Sequence, residues 1–564
     1  MGDNAFSLPT LMIIVPAAGG LIAMSMMTRR AAALTSLITF LAQSALLILA
    51  GVQLHRYDTS SGGDVVPSCA QAAASNGADV VLAQCNSWFP QWGIEYHVAV
   101  SWGALGLIAL TTLVTACATA FTWWAKRDRP APLTGLLWLT AAALTGLFVS
   151  RDLVLFYVFF ELMLVPLLVL VGVWGGEHRI RATMTMFIYT LLGSLPMLVS
   201  VIGVGMAAND AFAKAGTQFA DAGTFSLPAL AELTANGSLH LSNWILVGFL
   251  LAFAIKAPLL PFHGWLPLAY REAPAEVTAV LSGLISKAAF FGFFIVVLPL
   301  FPSALAGHWG TALTWLALAS LIYGSFGAFR QPDPRGVIAY SSLAQMGLIV
   351  LGLMSFTGEG SAQGLGGAYL QTLNHGLISA GLFLYIGVIE LRSGERTFAK
   401  LGGLGGGRPR LVSIGLLLTL ITLAVPGAST FAGEILILSG VFRGDVSGPL
   451  VATIGSLAVV LAAMYALRMI AGVVFSERTT TAEDGKPANE RFGTDLSARE
   501  LLFIAPVIIA LVALSAYPNL AKRAMNQPPV AISARADKLV ATPARAADQP
   551  ANQDGATADS ETTE

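Results

Sequence analysis

KAPLLPFHGW, residues 256–265, sets a lysine directly before two prolines inside an apolar run. A proline removes a helix hydrogen bond, and at membrane depth the freed carbonyls need protein or water as partners. The combination recurs at AVPGASTFAGE, residues 424–434, where Pro426 and Gly427 precede Glu434. Paired interrupted segments in corresponding positions point to a transporter built from repeats. The two breaks fall in spans 7 and 12 of the count below. An offset of five spans is odd, so the second repeat must enter the membrane upside down. Spans 4–8 and 9–13 are therefore expected to be two inverted five-helix repeats with broken helices 7 and 12.

Outward from these breaks, the chain is apolar almost throughout. Of its 564 residues 55% are hydrophobic and 11% charged, against about 25% charged in a soluble domain. A bilayer core takes about 20 helical residues. Apolar runs predict about fourteen transmembrane helices, near 8–28, 31–54, 98–124, 133–150, 152–174, 182–208, 241–262, 274–300, 309–329, 336–356, 364–390, 411–440, 450–475 and 499–518. The fold class is all-α, polytopic. The expected divisions are 1–130 (peripheral spans 1–3, with an outside loop at 55–97), 131–300 and 301–476 (the repeats), 477–520 (a cytoplasmic loop and span 14) and 521–564 (a disordered tail). The first apolar run lacks a basic leader and reads as a retained span.

Lysine and arginine fix the orientation. With the N-terminus outside, the cytoplasmic breaks hold 19 cations and the outside loops, tail excluded, hold 4, which favours N-out and C-out. Arg468 lies near a cytoplasmic helix end and is expected to snorkel. Net charge −1 excludes nucleic-acid binding through a broad basic surface. There is no C-x-x-C and no phosphate-binding G-x-x-x-x-G-K-[ST], so neither an iron–sulfur cluster nor P-loop ATP hydrolysis is expected. Cys69 and Cys85 fall in the outside loop, where a disulfide is plausible chemistry.

Five ionisable groups lie at membrane depth: Glu161 in span 5, Lys256 in span 7, Lys287 in span 8, His375 in span 11 and Glu434 in span 12. A charge there costs several kcal/mol and survives only inside the bundle, paired or hydrated. Static bridges locking helices together are the plain structural reading. A row of acids, lysines and a histidine also suits proton transfer, because burial favours the neutral amine and a nearby carboxylate favours the ammonium. Glu161 can modulate Lys256, and Lys287 can pass a proton through water and His375 to Glu434. Nothing suits a nucleophile or a hydride-transfer site.

DLVLFYVFFELMLVPLLVLVGVWGG (152–176) and KAPLLPFHGWLPLAYREAPAEVTAVLSGLISKAAFFG (256–292) resemble spans 5, 7 and 8 of the antiporter-like subunits of respiratory complex I. RGVIAYSSLAQMG (335–347), NHGLISAGLFLYIG (374–387) and GASTFAGEILIL (427–438) resemble their spans 10, 11 and 12. Within that family a glutamate at the position of Glu434 marks the M branch, and the L and N branches typically carry lysine. The closing DLSARELLFIAPVIIALVALSAYPN (495–519) also looks M-like. The resemblance implies a bacterial cytoplasmic-membrane subunit that moves protons, driven by quinone reduction elsewhere, with L- and N-type neighbours and no cofactor of its own. It implies roles for Glu161, Lys256, Lys287, His375 and Glu434. Gln345 departs from the family's usual histidine, Thr185 from a common lysine, and Leu268 and Tyr270 from polar residues. A cation/proton antiporter subunit and a non-conducting scaffold of a membrane complex remain the alternatives.

Overall fold

Several apolar runs begin at a residue whose side chain caps the helix. In a computed structural model describing residues 7–61, 82–214, 225–446, 448–476 and 488–518, Asp152 caps span 5 by accepting from the backbone N–H of Val154 and Leu155. Asp333 caps Pro334–Leu353 in the same way, with proline at the first helical position. Ser497 and Glu500 form a reciprocal capping box at the start of Ala498–Ala516. Such caps satisfy backbone donors that no helical carbonyl can reach.

Among the described residues, twelve helices are long and apolar enough to cross a membrane. At the two expected breaks stand shorter helix pairs, which the expectation of about fourteen counted as spans 7 and 12. Asn243–Lys256 is followed by Trp265–Glu272, and Pro409–Thr422 by Ser429–Arg443. Protein groups meet the freed carbonyls of both breaks. Trp265 Nε1 donates to Ile255 O at 3.0 Å, and Thr430 Oγ1 donates to Ile421 O at 2.5 Å.

Ser361–Ser393 (span 11) is the most enclosed helix and Ala275–Leu300 (span 8) the next, whereas Arg29–Arg56 is mostly uncovered. Spans 8 and 11 cross closely: a Cβ on Gly376 would fall 2.8 Å from the Gly283 carbonyl oxygen. Only a residue without a side chain allows that approach. Two π-helical turns, Leu281–Ile285 and Phe293–Val297, flank Lys287 in span 8. Such turns cluster at functional sites because they release carbonyls from the regular ladder.

The described end of the 55–97 loop is ordered, with a small antiparallel hairpin, β1 (Ala83–Phe89) and β2 (Ile94–Ala99). It is tied to the start of span 5 by a bridge between Val98 and Ser150 and by Arg151 N–H donating to His97 O at 2.8 Å. A short helix, Leu227–Ala235, stands in the other long break. Cys85 is disulfide-bonded and Cys117 is free and buried. Cys69, the expected partner of Cys85, lies outside the described residues, as do residues 477–487 and the whole 521–564 tail.

Arg468 reaches a helix end. Its guanidinium donates to the carbonyls of Phe329 and Gln331 and lies over the Phe329 and Phe398 rings. The last carbonyls of His308–Phe329 lack helical donors, and a cation there also complements the helix dipole.

Candidate functional site

The first break builds an ion pair. Lys256 ends its helix, is almost fully buried, and reaches span 5. Its ammonium donates to Phe160 O at 2.6 Å, sits 3.3 Å from the Phe160 ring centroid, and lies 3.7 Å from Glu161 Oε1. Span 5 is discontinuous at Met163, within one turn of that carbonyl. Glu161 is a quarter exposed, on a face shared with the exposed Val158, Leu162 and Val165. The space beside Lys256, about 10 Å³ between Met163, Trp265, Leu281 and Ile285, is largely apolar. That is at the lower edge of what one water needs.

Lys287 is different. It is fully buried and donates to Ser282 O at 3.0 Å and to Ser286 Oγ at 3.1 Å. Ser282 belongs to the π-helical turn, which explains its available carbonyl. The third contact is to His375 Nδ1 at 2.8 Å. Lys287 forms no ion pair among the described residues, unlike Lys256. A buried ammonium and a buried imidazolium would repel at this distance, so at most one of the two bases is charged.

Glu434, also buried, stands beside Gln345, with the Tyr465 hydroxyl near both. Gln371 Nε2 donates to Gln345 Oε1 at 2.8 Å, Asn374 Nδ2 to Gln371 Oε1 at 3.4 Å, and Ser429 Oγ to Asn374 Oδ1 at 2.7 Å. This chain of amides links span 10, span 11 and the second break. Between His375 and Tyr465 lies a polar-walled cavity of about 20 Å³. The structure thus joins Glu161 with Lys256 and Lys287 with His375, and leaves Glu434 apart from both pairs, beside Gln345.

Gln371, Asn374 and Tyr465 were not among the expected site residues, since uncharged side chains at membrane depth carry no signal of cost. The charges near the cytoplasmic ends were read as loop cations or passed over. Glu276, fully buried, pairs with Arg127 at 2.8 Å. Arg335, also buried, binds Glu390 through two nitrogens at 2.7 and 2.6 Å and donates to Ala273 O at 2.6 Å. That last contact ties span 10 to the end of Trp265–Glu272. At the same boundary Asp495 accepts from the N–H of Arg410, Leu411 and Leu496. Burial works against its ionised form, but these donors and Arg410 outweigh it and hold its carboxyl below the usual range. In the β1–β2 hairpin, burial and the Arg151 charge push His97 down to about 3.

Residues 150–468 match the family model described as NADH:quinone oxidoreductase/Mrp antiporter, TM. NADH-quinone oxidoreductase subunit M of Rickettsia bellii is 33% identical over 434 residues, covering 77% of this chain and 82% of that protein. Subunit M of Rhodobacter capsulatus is 35% identical over 430 residues, 76% and 80% of the two chains. The chain belongs to the subunit M family. A chain of respiratory complex I from Thermus thermophilus matches with TM-score 0.74 and 29% identity, over 94% of this chain and 99% of that one. A chain of the Mrp complex of Dietzia sp., 21% identical with TM-score 0.67, covers 92% of this chain and 97% of that one and shares the fold. The chain is thus an antiporter-like, multi-pass subunit of the complex I membrane arm.

Proposed function

We propose that this chain moves protons across the membrane through Glu161, Lys256, Lys287, His375 and Glu434, driven by quinone reduction in other subunits. The observation that carries the reading is the 2.8 Å contact of Lys287 Nζ with His375 Nδ1. Two bases sharing one proton form a transfer pair, whereas a locking bridge would put a carboxylate there. On this reading spans 4–8 and 9–13 are the inverted repeats, Glu161 biases Lys256, and Glu434 is the acceptor beyond His375. No redox cofactor is assigned to this chain.

Glu161 supports a partner. A carboxylate a quarter exposed at membrane depth is costly against lipid, and a neighbouring subunit over that face removes the cost. L- and N-type subunits fit that place. The membrane is read as the bacterial cytoplasmic membrane, with both termini outside on the cation count.

The test is proton uptake by the assembled complex in vesicles, with assembly checked on native gels. Lys287→Ala should nearly abolish pumping. Full pumping by a well-assembled Lys287→Ala complex would leave a scaffold. Sodium uptake that persists without proton uptake would favour a cation antiporter.

A further inference from the structure

Two buried polar atoms in the second repeat have no protein hydrogen-bond partner, His375 Nε2 and the Tyr465 hydroxyl oxygen. Both residues line the 20 Å³ cavity, together with Gln345, Gln371, Ser379 and Thr430. An unmatched buried donor or acceptor costs ~1–3 kcal/mol. Two of them on one polar cavity mark a water site, because one water needs roughly 10–15 Å³ and two to four polar partners.

The directions of the hydrogen bonds are set by the neighbours. Lys287 as ammonium donates to Nδ1 of His375, so the neutral ring carries its proton on Nε2 and offers it to the cavity. The Gln345 carbonyl is occupied by Gln371 Nε2 at 2.8 Å, which leaves the Gln345 amide N–H₂ for Glu434. An amide nitrogen donates but does not take up a proton at neutral pH. Gln345 can therefore hold the Glu434 carboxylate without delivering a proton to it. A hydroxyl both accepts and donates, and that of Tyr465 stands beside Glu434 and Gln345.

Resting on the proton-relay reading above, we infer that Tyr465 delivers the proton to Glu434, through one water held between its hydroxyl and His375 Nε2. As the Lys287 Nζ–H bond breaks, an N–H bond forms at His375 Nδ1. The Nε2 proton passes to the water oxygen, a water proton to the Tyr465 oxygen, and, once the Glu434 side chain turns within hydrogen-bond reach of that hydroxyl, the Tyr465 proton to a carboxylate oxygen of Glu434. Four bonds break and four form. Lys287 ends as a neutral amine and Glu434 as a neutral acid, and no group between them changes charge. Tyr465 thus does what a histidine at position 345 would otherwise do.

The experiment measures protons moved per quinone reduced, and the H₂O/D₂O rate ratio, in vesicles holding the assembled complex. Tyr465→Phe keeps the ring and removes only the hydroxyl. It should lower pumping at least about tenfold, the low end of what a placed proton-transfer group contributes, and change the isotope ratio. Adding Gln345→His to Tyr465→Phe should restore most of the loss, since an imidazole can accept and donate where the amide cannot. A purely structural tyrosine would show no such rescue. Ser379→Val, which fills the cavity from another wall, should reproduce the loss and decides the matter if Tyr465→Phe fails to assemble. Wild-type pumping and isotope ratio in Tyr465→Phe, or in Ser379→Val when that variant decides, would overturn the inference. If Lys287→Ala in the same vesicles is inactive, that outcome removes Tyr465 alone; if Lys287→Ala also pumps, the relay itself is gone.

Discussion

The two broken segments use one backbone device for two electrostatic ends. In the first, Lys256 is closed in by the Phe160 ring, the Phe160 carbonyl and Glu161, with little room for water. In the second, Glu434 forms no ion pair among the described residues and stands by Gln345, which with Tyr465 lines a cavity of about 20 Å³. The first is a place where a charge is kept, and its strength depends on the Lys256–Glu161 distance. The second, on the proposed reading, is a place where a proton arrives and leaves. A break in a membrane helix supplies unsatisfied backbone at depth; the side chains around it decide whether that becomes a lock or a passage.

Substitutions at Glu434 should break this contrast most strongly. Glu434→Gln removes the acceptor and should reduce pumping severely with assembly intact. Glu434→Lys should be worse, because it places a cation where a proton must arrive, and it would make the second break resemble the first. Equal pumping by Glu434→Lys and wild type would erase the distinction. Glu161→Gln comes next: Lys256 would keep its carbonyl and ring but lose its counter-charge, and pumping should be impaired. Exchanging the two, with Glu161→Lys and Lys256→Glu together, should recover part of the rate. Wild-type pumping in Glu161→Gln vesicles would make the first break a passive kink. Arg335→Ala acts on structure, leaving Glu390 buried without its partner at a cost of ~3–5 kcal/mol. It should show as lost assembly and a lower melting temperature, and only secondarily as lost pumping.

Much of this organisation was legible before any coordinates. Charges at membrane depth are so costly that Glu161, Lys256, Lys287 and Glu434 announce themselves, and proline beside two of them located both breaks. The pairing was less legible. Lys287 was expected to reach His375 through water, and the close crossing at Gly283 and Gly376 brings the two into direct contact instead. Gln371, Asn374 and Tyr465 were invisible because neutral polar residues occur throughout such helices, and only packing shows which of them share a cavity. Arg335, counted as a loop cation, was misread for a related reason. Cation counting treats the membrane boundary as solvent, whereas here that boundary is crowded with helix ends whose carbonyls bind guanidinium groups.

The smallest expected effect separates the two broken segments at their starts. Asn243–Lys256 begins after Ser242, which makes no side-chain capping bond. Pro409–Thr422 begins under Asp495, which takes the N–H groups of Arg410 and Leu411 at 2.8 and 3.0 Å from a distant part of the chain. Loss of such a cap costs roughly 1 kcal/mol, so Asp495→Ala should loosen the second break slightly and Ser242→Ala should leave the first unchanged. The pH dependence follows from the lowered carboxyl of Asp495. Its contribution is fully present above the ordinary aspartate value of about 3.9 and is lost as pH falls through its lower folded value. Hydrogen exchange at Leu411, corrected for the intrinsic effect of pH, should therefore rise in wild type only below about pH 4. In Asp495→Ala it should be raised already at neutral pH and show no further acid step. An acid step that persists in Asp495→Ala would assign the loosening to another carboxylate and leave the two helix starts equivalent.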